Sequence, residues 1–428
     1  MFKVGIIGFG GGSALIPVME KELVRPGRLH PSHFINDTVI ANITPGALPV
    51  KLAALSGTRV GGARAAVLGA IAVALPGVAA TVGLLALFRV LGAGAVAAVE
   101  AASLGITAFI LYLLAHFVLK VLAPGGTVRT VALIIALIAF LATGAGRLVE
   151  LLGEFLPLDI VGAVPELSAL GLVVAALVLI AVFSLVQHLR SPRREPLSDH
   201  VDAGSGLGRR GIRAACAFLL VTAAGLGVAV VMPGDGGTGA FLGLVGLSTV
   251  TSFGGGEAYV GVADGFFVGN VVSSEVFYGQ ILPVANALPG PILVKIAAGV
   301  AFAAGTAGPM LAVAAFAVTV GVCSALAVVV LLGYDRARDS LLVRNISTYI
   351  LPVICGLLAS TAVSLLHSNA RIAGEAGLPA LPVVGASIGL AVLAPQMKRL
   401  RGVSDVVVIM LFGAATFGAV ELAGVVLN

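Results

Sequence analysis

A duplication constrains this chain more than any other feature of its sequence. The segment FGGGSALIPVME at residues 9–20 has a second copy, FGGGEAYVGVAD, at residues 253–264, which is 244 positions further on. The same offset relates ANITPGALPVKLAA at 41–54 to ANALPGPILVKIAA at 285–298, and these two agree at eight of fourteen positions. Composition does not explain the shared Lys, because the chain has only six lysines. We therefore expect two related halves.

Composition places both halves in a membrane. The 428 residues are 59% hydrophobic and 11% charged, whereas a soluble domain carries about 25% charged residues. We count thirteen apolar runs that approach the roughly 20 residues needed to cross a bilayer, six in each half and one between. Four of these runs hold the duplicated motifs, at 1–24, 36–56, 239–263 and 273–300.

The expected fold is an all-α polytopic membrane protein built from two inverted repeats. Inversion follows because the single run between the halves turns the second half over. The expected divisions are a first repeat at 1–189, a cytoplasmic linker at 190–210, a linking transmembrane helix at 211–233 and a second repeat at 239–428.

Basic residues give an independent prediction of the orientation. The linker region carries a cluster of arginines: Arg190, Arg193, Arg194, Arg209, Arg210 and Arg213. Short basic loops stay in the cytoplasm, so the N-terminus is expected there and the C-terminus outside. The expected location is the cytoplasmic membrane of a bacterium or archaeon.

Both duplicated motifs predict breaks in helices. Each glycine in a helix costs about 1 kcal/mol relative to Ala, so the two triple glycines indicate breaks, although close helix packing is an alternative. Thr44 before Pro45 and Gly46 has the pattern of a helix N-cap and first turn inside the run, and Asn286 is the capping candidate in the second copy. Discontinuous or re-entrant helices direct their N-termini at an anion.

We expect the anion site between the two glycine segments and the two Pro-Gly helices. Lys51 and Lys295 each follow their Pro by six residues, roughly 9 Å along a helix, and charges inside a membrane indicate function. Snorkelling, or an ion pair with an acidic residue, is the alternative. Glu20, Glu257 and Asp264 are candidate coupling groups, with loop exposure of Glu20 and Asp264 or a structural ion pair of Glu257 as alternatives. The expected substrate contacts are Gly10, Gly11, Gly12, Ser13, Asn42, Thr44, Gly46, Lys51, Gly254, Gly255, Gly256, Asn286, Gly290 and Lys295.

These residues resemble a known family. FGGGSALIPVMEKEL, followed by a polar residue and Pro-Gly at 44–46 and duplicated in one chain, is similar to the chromate ion transporter family in its two-repeat form. The resemblance implies export of chromate, an oxyanion that imitates sulfate, driven by the proton or membrane-potential gradient. The family more often has a neutral polar residue near the positions of Lys51 and Lys295.

Other functions remain open at this stage. An uncoupled anion channel could use the same site, as could a transporter of sulfate or of a small organic anion. An intramembrane enzyme or lipid-handling protein is disfavoured, because no Ser/His/Asp set or HExxH motif recurs in the repeats. The expected partners are an oxyanion and the lipid bilayer, and a homodimer is compatible with the sequence. We expect no nucleic acid, metal or cofactor.

Overall fold

The structure, a computed structural model, is predominantly helical in the residues that it describes. These are residues 1–7, 15–153, 155, 167, 169–190, 205–231, 237–253, 256–305, 307–333, 341–375, 377–401 and 405–427. Seven helices in this part of the chain are long and apolar enough to cross a membrane. The expected all-α polytopic fold class is confirmed.

Each half begins with short helices and continues with long ones. A π-helical turn, Phe277–Ile281, joins two of the short ones. In chain order the α-helices are α1 (Phe2–Ile7), α2 (Ile16–Leu23), α3 (Pro31–Ile43), α4 (Leu48–Leu91), α5 (Ala93–Leu122), α6 (Thr130–Gly153), α7 (Ala169–Arg190), α8 (Ser205–Val231), α9 (Gly237–Val250), α10 (Gly256–Phe267), α11 (Ser274–Val276), α12 (Leu282–Ala287), α13 (Ile292–Ala303), α14 (Gly308–Leu332), α15 (Leu341–Glu375), α16 (Ala380–Arg401) and α17 (Asp405–Leu427).

Helix boundaries in the two halves agree at the offset of the duplication. Helix α13 begins at Ile292, and 292 minus 244 is 48, where α4 begins. Helix α10 ends at Phe267, and 267 minus 244 is 23, where α2 ends. Helix α4 is kinked at Gly61 and Gly62, which have non-helical backbone angles. Its first part corresponds to α13 and its second part to α14.

Two helical hairpins form the start of the first half. Hairpin A is α1 with α2, whose outer ends are joined by the Lys3–Glu22 ion pair at 3.3 Å. Hairpin B is α3 with the first part of α4, where Asp37 in the middle of α3 pairs with Arg59 near the kink of α4 at 2.7 Å. In each hairpin the second helix therefore runs back along the first.

The second half begins with two hairpins of the same kind. Hairpin C is α9 with α10, and its contacts pair Phe241 with Phe267 and Ser248 with Tyr259. Hairpin D comprises α11, the π-helical turn, α12 and α13. Its two arms are antiparallel, because Gly299 packs on Ile281 while Lys295 bonds to Ala285.

The four apolar runs that hold the duplicated motifs are interrupted rather than straight. The runs 1–24, 36–56, 239–263 and 273–300 each contain two short antiparallel helical arms. At 1.5 Å per residue, a 12-residue arm spans only about 18 Å, which is well short of the roughly 30 Å hydrocarbon core. These segments have the form of re-entrant hairpins, one of the two arrangements expected at the breaks.

The second part of α4 defines the two ends of the bundle. At the Gly62 end, Arg210 at the start of α8 donates to the main-chain oxygen of Arg59 at 3.3 Å. The neighbouring Gly211 packs against Leu332, the last residue of α14. The beginning of this part of α4 thus lies near the end of α14.

At the opposite end of the bundle, here called the Arg89 end, the last turn of α4 lies near the beginning of α14. Arg89 donates to the main-chain oxygen of Phe302 at 3.0 Å and lies over its ring, 4.4 Å from the centroid. Phe302 packs against Gly308, the first residue of α14. The equivalent helices of the two halves are therefore antiparallel, which is the order that inverted repeats require.

The hairpins open toward opposite ends. The first part of α4 leads directly into the kink, so hairpin B opens toward the Gly62 end. Helix α1 lies beside α4 with Met1 near Gly69 and Gly5 near Val73, so hairpin A opens the same way. Helix α13 finishes next to Arg89, and α9 begins beside the last turns of α8. Hairpins C and D therefore open toward the Arg89 end.

Candidate substrate site at the helix breaks

The tips of the hairpins meet across the two halves. The amide of Gly46, at the tip of hairpin B, donates to the main-chain oxygen of Ser252 at the tip of hairpin C, at 2.7 Å. Gly290, at the tip of hairpin D, packs against Gly77 of α4 and near the main-chain oxygen of Gly5 in hairpin A. Each Pro-Gly tip therefore contacts the glycine-motif hairpin of the other half.

Gly46 and Gly290 have the same unusual backbone conformation. Both have φ of +101°, which L-residues with a side chain rarely adopt. Space is also restricted at Gly46, where a Cβ atom would lie 2.3 Å from the Cβ of Cys323 in α14. The repeated glycine thus permits both the turn and the close approach of the opposite half.

The helix starts differ from the prediction by three residues. Thr44 is the C-cap of α3, and its hydroxyl donates to the main-chain oxygen of Ile40 at 2.8 Å. Helix α4 begins at Leu48 with Ala47 as N-cap, and α13 begins at Ile292 with Pro291 as N-cap. Neither start has a side-chain cap. The predicted N-cap role of Thr44 was wrong because Gly46 and Ala47 extend the turn.

Asn286 is not an N-cap residue either. It lies in α12, where its amide nitrogen donates to the main-chain oxygen of Leu282 at 2.8 Å. Asn42 makes the equivalent bond in α3, to the main-chain oxygen of Thr38 at 2.7 Å. Both amides lie in the last turn before a tip, Asn286 half-buried and Asn42 exposed. The predicted capping role of Asn286 was therefore wrong.

The two lysines are buried and bind the ends of the preceding helices. The ammonium group of Lys51 donates to the main-chain oxygen of Thr44. Lys295 donates to the main-chain oxygens of Ala285 and Leu288. Among the side chains that the structure describes, no carboxylate forms a salt bridge with either lysine. The last carbonyls of a helix lack partners within the helix, and the lysines satisfy some of them.

The candidate acidic groups have contrasting environments. Glu20 is exposed on α2. Its repeat partner Asp264 is buried in α10, where Tyr278 donates to Oδ1 and Arg147 to Oδ2, and Thr361 lies 3.3 Å from Oδ2. Sequence reasoning missed Arg147 and Tyr278. The charge of Arg147 near the end of an apolar run could have identified it. A search for repeated residues does not find it, because the position 244 residues later, 391, is Ala.

Some predicted contacts cannot be located. Gly10, Gly11, Gly12, Ser13, Gly254 and Gly255 lie outside the described residues. Gly256 is the first residue of α10, and the side chain of Glu257 also lies outside the described part. The break itself is visible in the second half, where α9 ends at Val250 and α10 begins at Gly256.

This arrangement is suited to binding an anion. Four short helices begin near the tips, and the N-terminus of a helix carries a partial positive charge with free N–H groups. The lysines lie behind the Pro-Gly tips and bind carbonyls at the negative ends of the preceding helices. The buried hydroxyl of Ser252 has no hydrogen-bond partner among the described residues. Buried polar groups usually have partners, so this hydroxyl is available to a ligand or water.

Comparison with known proteins is consistent with this geometry. The sequence model of a protein family described as chromate transporter matches residues 1–164 and 240–419. The uncharacterized transporter YwrB of Bacillus subtilis (strain 168) is 36% identical over 118 residues, which is 26% of this chain and 60% of that protein. The uncharacterized transporter YwrA of the same organism is 35% identical over 89 residues, 21% of this chain and 50% of that protein. The matches thus span about half to three fifths of these relatives. No solved structure matches significantly.

Proposed function

The chain belongs to the chromate transporter family, and from this premise we propose that it is a secondary active transporter that exports an oxyanion. The substrate is a chromate-like or sulfate-like dianion, and the proton or membrane-potential gradient drives its movement. The convergence of the four hairpin tips, above all the Gly46–Ser252 bond between the halves, supports this proposal most strongly. A site built from both halves changes its access when one half rocks against the other.

The two halves are inverted repeats in this proposal, with the divisions expected from the sequence. Helix α8 is the linking transmembrane helix, and the Gly62 end faces the cytoplasm. That end carries a group of basic residues: Arg25, Arg28, Arg59, Arg64, Arg209, Arg210 and Arg213. Basic residues near membrane-spanning helices are retained in the cytoplasm. The re-entrant form of hairpin A supports this orientation, because a straight crossing would place Arg25 and Arg28 outside.

The oxyanion binds at the tips of the four hairpins. Main-chain amides of the glycine motifs and around Gly46 and Gly290 contact it, together with Ser13 and Thr44, while the amide of Gly46 itself remains bonded to Ser252. Asn42 and Asn286 donate from the adjoining helix turns. Lys51 and Lys295 provide net positive charge from behind the tips and offset the charge of the dianion. Transport requires no catalytic residue or cofactor.

Coupling is assigned to the carboxylates expected from the sequence, namely Glu20, Glu257 and Asp264. Asp264 is the most enclosed of those whose side chains are described. An ionisable group inside a membrane protein is expensive to bury and is usually retained for function.

Reconstitution tests the proposal directly. The purified full chain is placed in liposomes with equal chromate concentrations inside and outside, and net chromate movement is measured with and without an imposed pH gradient or membrane potential. We expect a gradient to drive chromate against its own concentration difference, with sulfate competing. Flux that always follows the chromate gradient would identify an uncoupled channel, and an absence of flux for chromate, sulfate and small organic anions would refute transport.

A further inference from the structure

A polar cavity lies between the tips and the Arg89 end. Its volume is about 220 Å³, several times the roughly 30 Å³ that a water molecule occupies in the liquid. Polar side chains from α6, α10, α15 and the loop after α10 line it: Thr143, Arg147, Asp264, Asn270 and Ser360. The cavity is therefore large and polar enough for a small hydrated anion.

Arg147 is the cationic group of this cavity. Its side chain is 27% exposed, whereas that of its partner Asp264 is 4% exposed. Arg147 also donates to the hydroxyl of Ser364 at 2.7 Å. A guanidinium group presents several N–H donors in a planar fork that fits carboxylate and tetrahedral oxyanions alike. A ligand entering the cavity thus reaches Arg147 more easily than it reaches the buried carboxylate.

Asp264 retains other partners when Arg147 is engaged elsewhere. Tyr278 donates to Oδ1, and the hydroxyl of Thr361 lies within bonding distance of Oδ2. The π-helical turn of hairpin D holds Tyr278 in this position, and such turns are often found at functional sites. The carboxylate can therefore remain bonded while its guanidinium partner is shared or released.

The cluster joins α6 of the first half to the second half and has no counterpart at the positions that the duplication relates to Asp264 and Tyr278. The residues 244 positions before Asp264 and Tyr278 are Glu20, which is exposed, and Phe34, which has no hydroxyl. Inverted repeats with an asymmetric polar cavity have different chemistry at their two ends. The cavity lies toward the Arg89 end because α10 runs from the tips in that direction.

We propose that this cavity is a second oxyanion site, in which Arg147 binds the anion and Asp264 is an internal competitor that occupies Arg147 when the site is empty. This inference rests on the proposed function and adds a site on the path between the hairpin tips and the Arg89 end. The ligand class is a small tetrahedral oxyanion such as sulfate or chromate.

Binding of radiolabelled sulfate to the purified full chain tests the inference. We expect Arg147→Gln to weaken binding at the cavity by about tenfold or more while the site at the hairpin tips still binds, because the substitution removes a charge-assisted contact of the cavity alone. We expect Asp264→Asn to strengthen binding by about threefold, because it removes a competing negative charge and leaves an oxygen for Tyr278. A pair with only a structural role would lower binding in both variants.

A double variant and a matched control complete the design. Arg147→Gln with Asp264→Asn removes both charges, so it tests binding without leaving a buried charge unpaired, and we expect it to bind as weakly as Arg147→Gln. Arg371→Gln is the control, because Arg371 pairs with Glu275 at 2.7 Å and is 49% exposed. Its binding should equal that of the wild type.

The outcomes separate this inference from the proposed function. An unchanged number of sulfate ions bound per chain, with unchanged affinities, in the double variant would overturn the second site and leave the transporter proposal intact. Weaker binding in Asp264→Asn would also overturn it. If the wild type neither binds sulfate or chromate nor transports them, both proposals fail.

Discussion

At the scale of single residues, the lysines show how far a sequence pattern reaches. Their repetition and their position behind Pro-Gly predicted two buried intramembrane charges, and both are buried. Their partners could not be predicted, because they are main-chain oxygens at the end of the preceding helix, and every residue has a main-chain oxygen whatever its side chain. The Arg147–Asp264 pair was missed for another reason: it joins a residue of the first half to one 117 positions later in the second half, and it has no repeat-related counterpart, so a search by symmetry does not find it.

The lysines should differ in their contribution to stability. Lys295 bonds two carbonyls and Lys51 one, and an acceptor left buried without a partner costs about 1–3 kcal/mol. We expect Lys295→Met to lower the thermal unfolding midpoint in detergent more than Lys51→Met does.

Lys120→Met is the matched control, because Lys120 is exposed near the end of α5, and it should unfold like the wild type. Transport by both buried-lysine variants should fall far below that of the control. Equal midpoints for all three variants would contradict the carbonyl-bonding role.

Gly46 should tolerate no side chain. In Gly46→Ala the new Cβ would lie 2.3 Å from the Cβ of Cys323, and φ is +101°. We expect loss of transport and a lowered unfolding midpoint. Adding Cys323→Gly should recover part of the midpoint, because it removes the clash and leaves the backbone strain.

Gly83→Ala provides the comparison, since no atom lies within 4 Å of a Cβ built there. This variant should behave like the wild type. Normal transport by Gly46→Ala would show that the tips do not meet as described.

At the scale of elements, the lengths of the apolar runs indicated which segments lie in the membrane. They did not show whether a segment crosses it or doubles back. An apolar run of 21 to 28 residues, the length of these four runs, looks the same whether it forms one crossing or two short antiparallel helical arms. The interruptions in these four runs are what indicates a hairpin rather than a single crossing. A triple glycine or a Pro-Gly pair lies near the middle of each run. The form of the break depends on which hairpin packs against it, as at the Gly46–Ser252 contact.

Cysteine labelling distinguishes a hairpin from a crossing. If hairpin A doubles back, a cysteine that replaces Arg28 lies on the same side of the membrane as a cysteine that replaces Arg64. A straight crossing of run 1–24 would place the two on opposite sides. We expect a membrane-impermeant maleimide to label Arg28→Cys and Arg64→Cys from the cytoplasmic side, in a background without the three native cysteines.

Asn270→Cys, in the exposed turn of the second half, should be labelled from the opposite side. Labelling of Arg28→Cys from outside would contradict the re-entrant form of hairpin A.

At the scale of the whole molecule, the two halves depend on each other for their interior contacts. Gly46 bonds to Ser252, and Gly290 packs against Gly77. Helix α8 adds a further connection, because Gly321 and Gly225 permit α8 and α14 to pack closely. The antiparallel order of the second part of α4 and α14 agrees with the inversion that the parity of the runs and the basic residues predict. The pairing of each Pro-Gly tip with the opposite half could be seen only in the structure.

The mutual dependence predicts the behaviour of a divided chain. Two fragments separated within residues 191–204 should co-purify from membranes when expressed together, because the tip contacts cross the division. Each fragment expressed without the other should accumulate to a much lower level. Full accumulation of both single fragments would show that the halves are independent domains.

The Gly46–Ser252 bond has a consequence for synthesis at the ribosome. Hairpin B enters the membrane about 200 residues before its partner carbonyl has been translated, and during that interval the amide of Gly46 lacks its final acceptor. An unpaired main-chain group in lipid costs several kcal/mol, so the nascent first half must keep its tips in contact with water or with the insertion machinery. Assembly of this protein is therefore completed late, when hairpin C arrives from the opposite face and closes the tips.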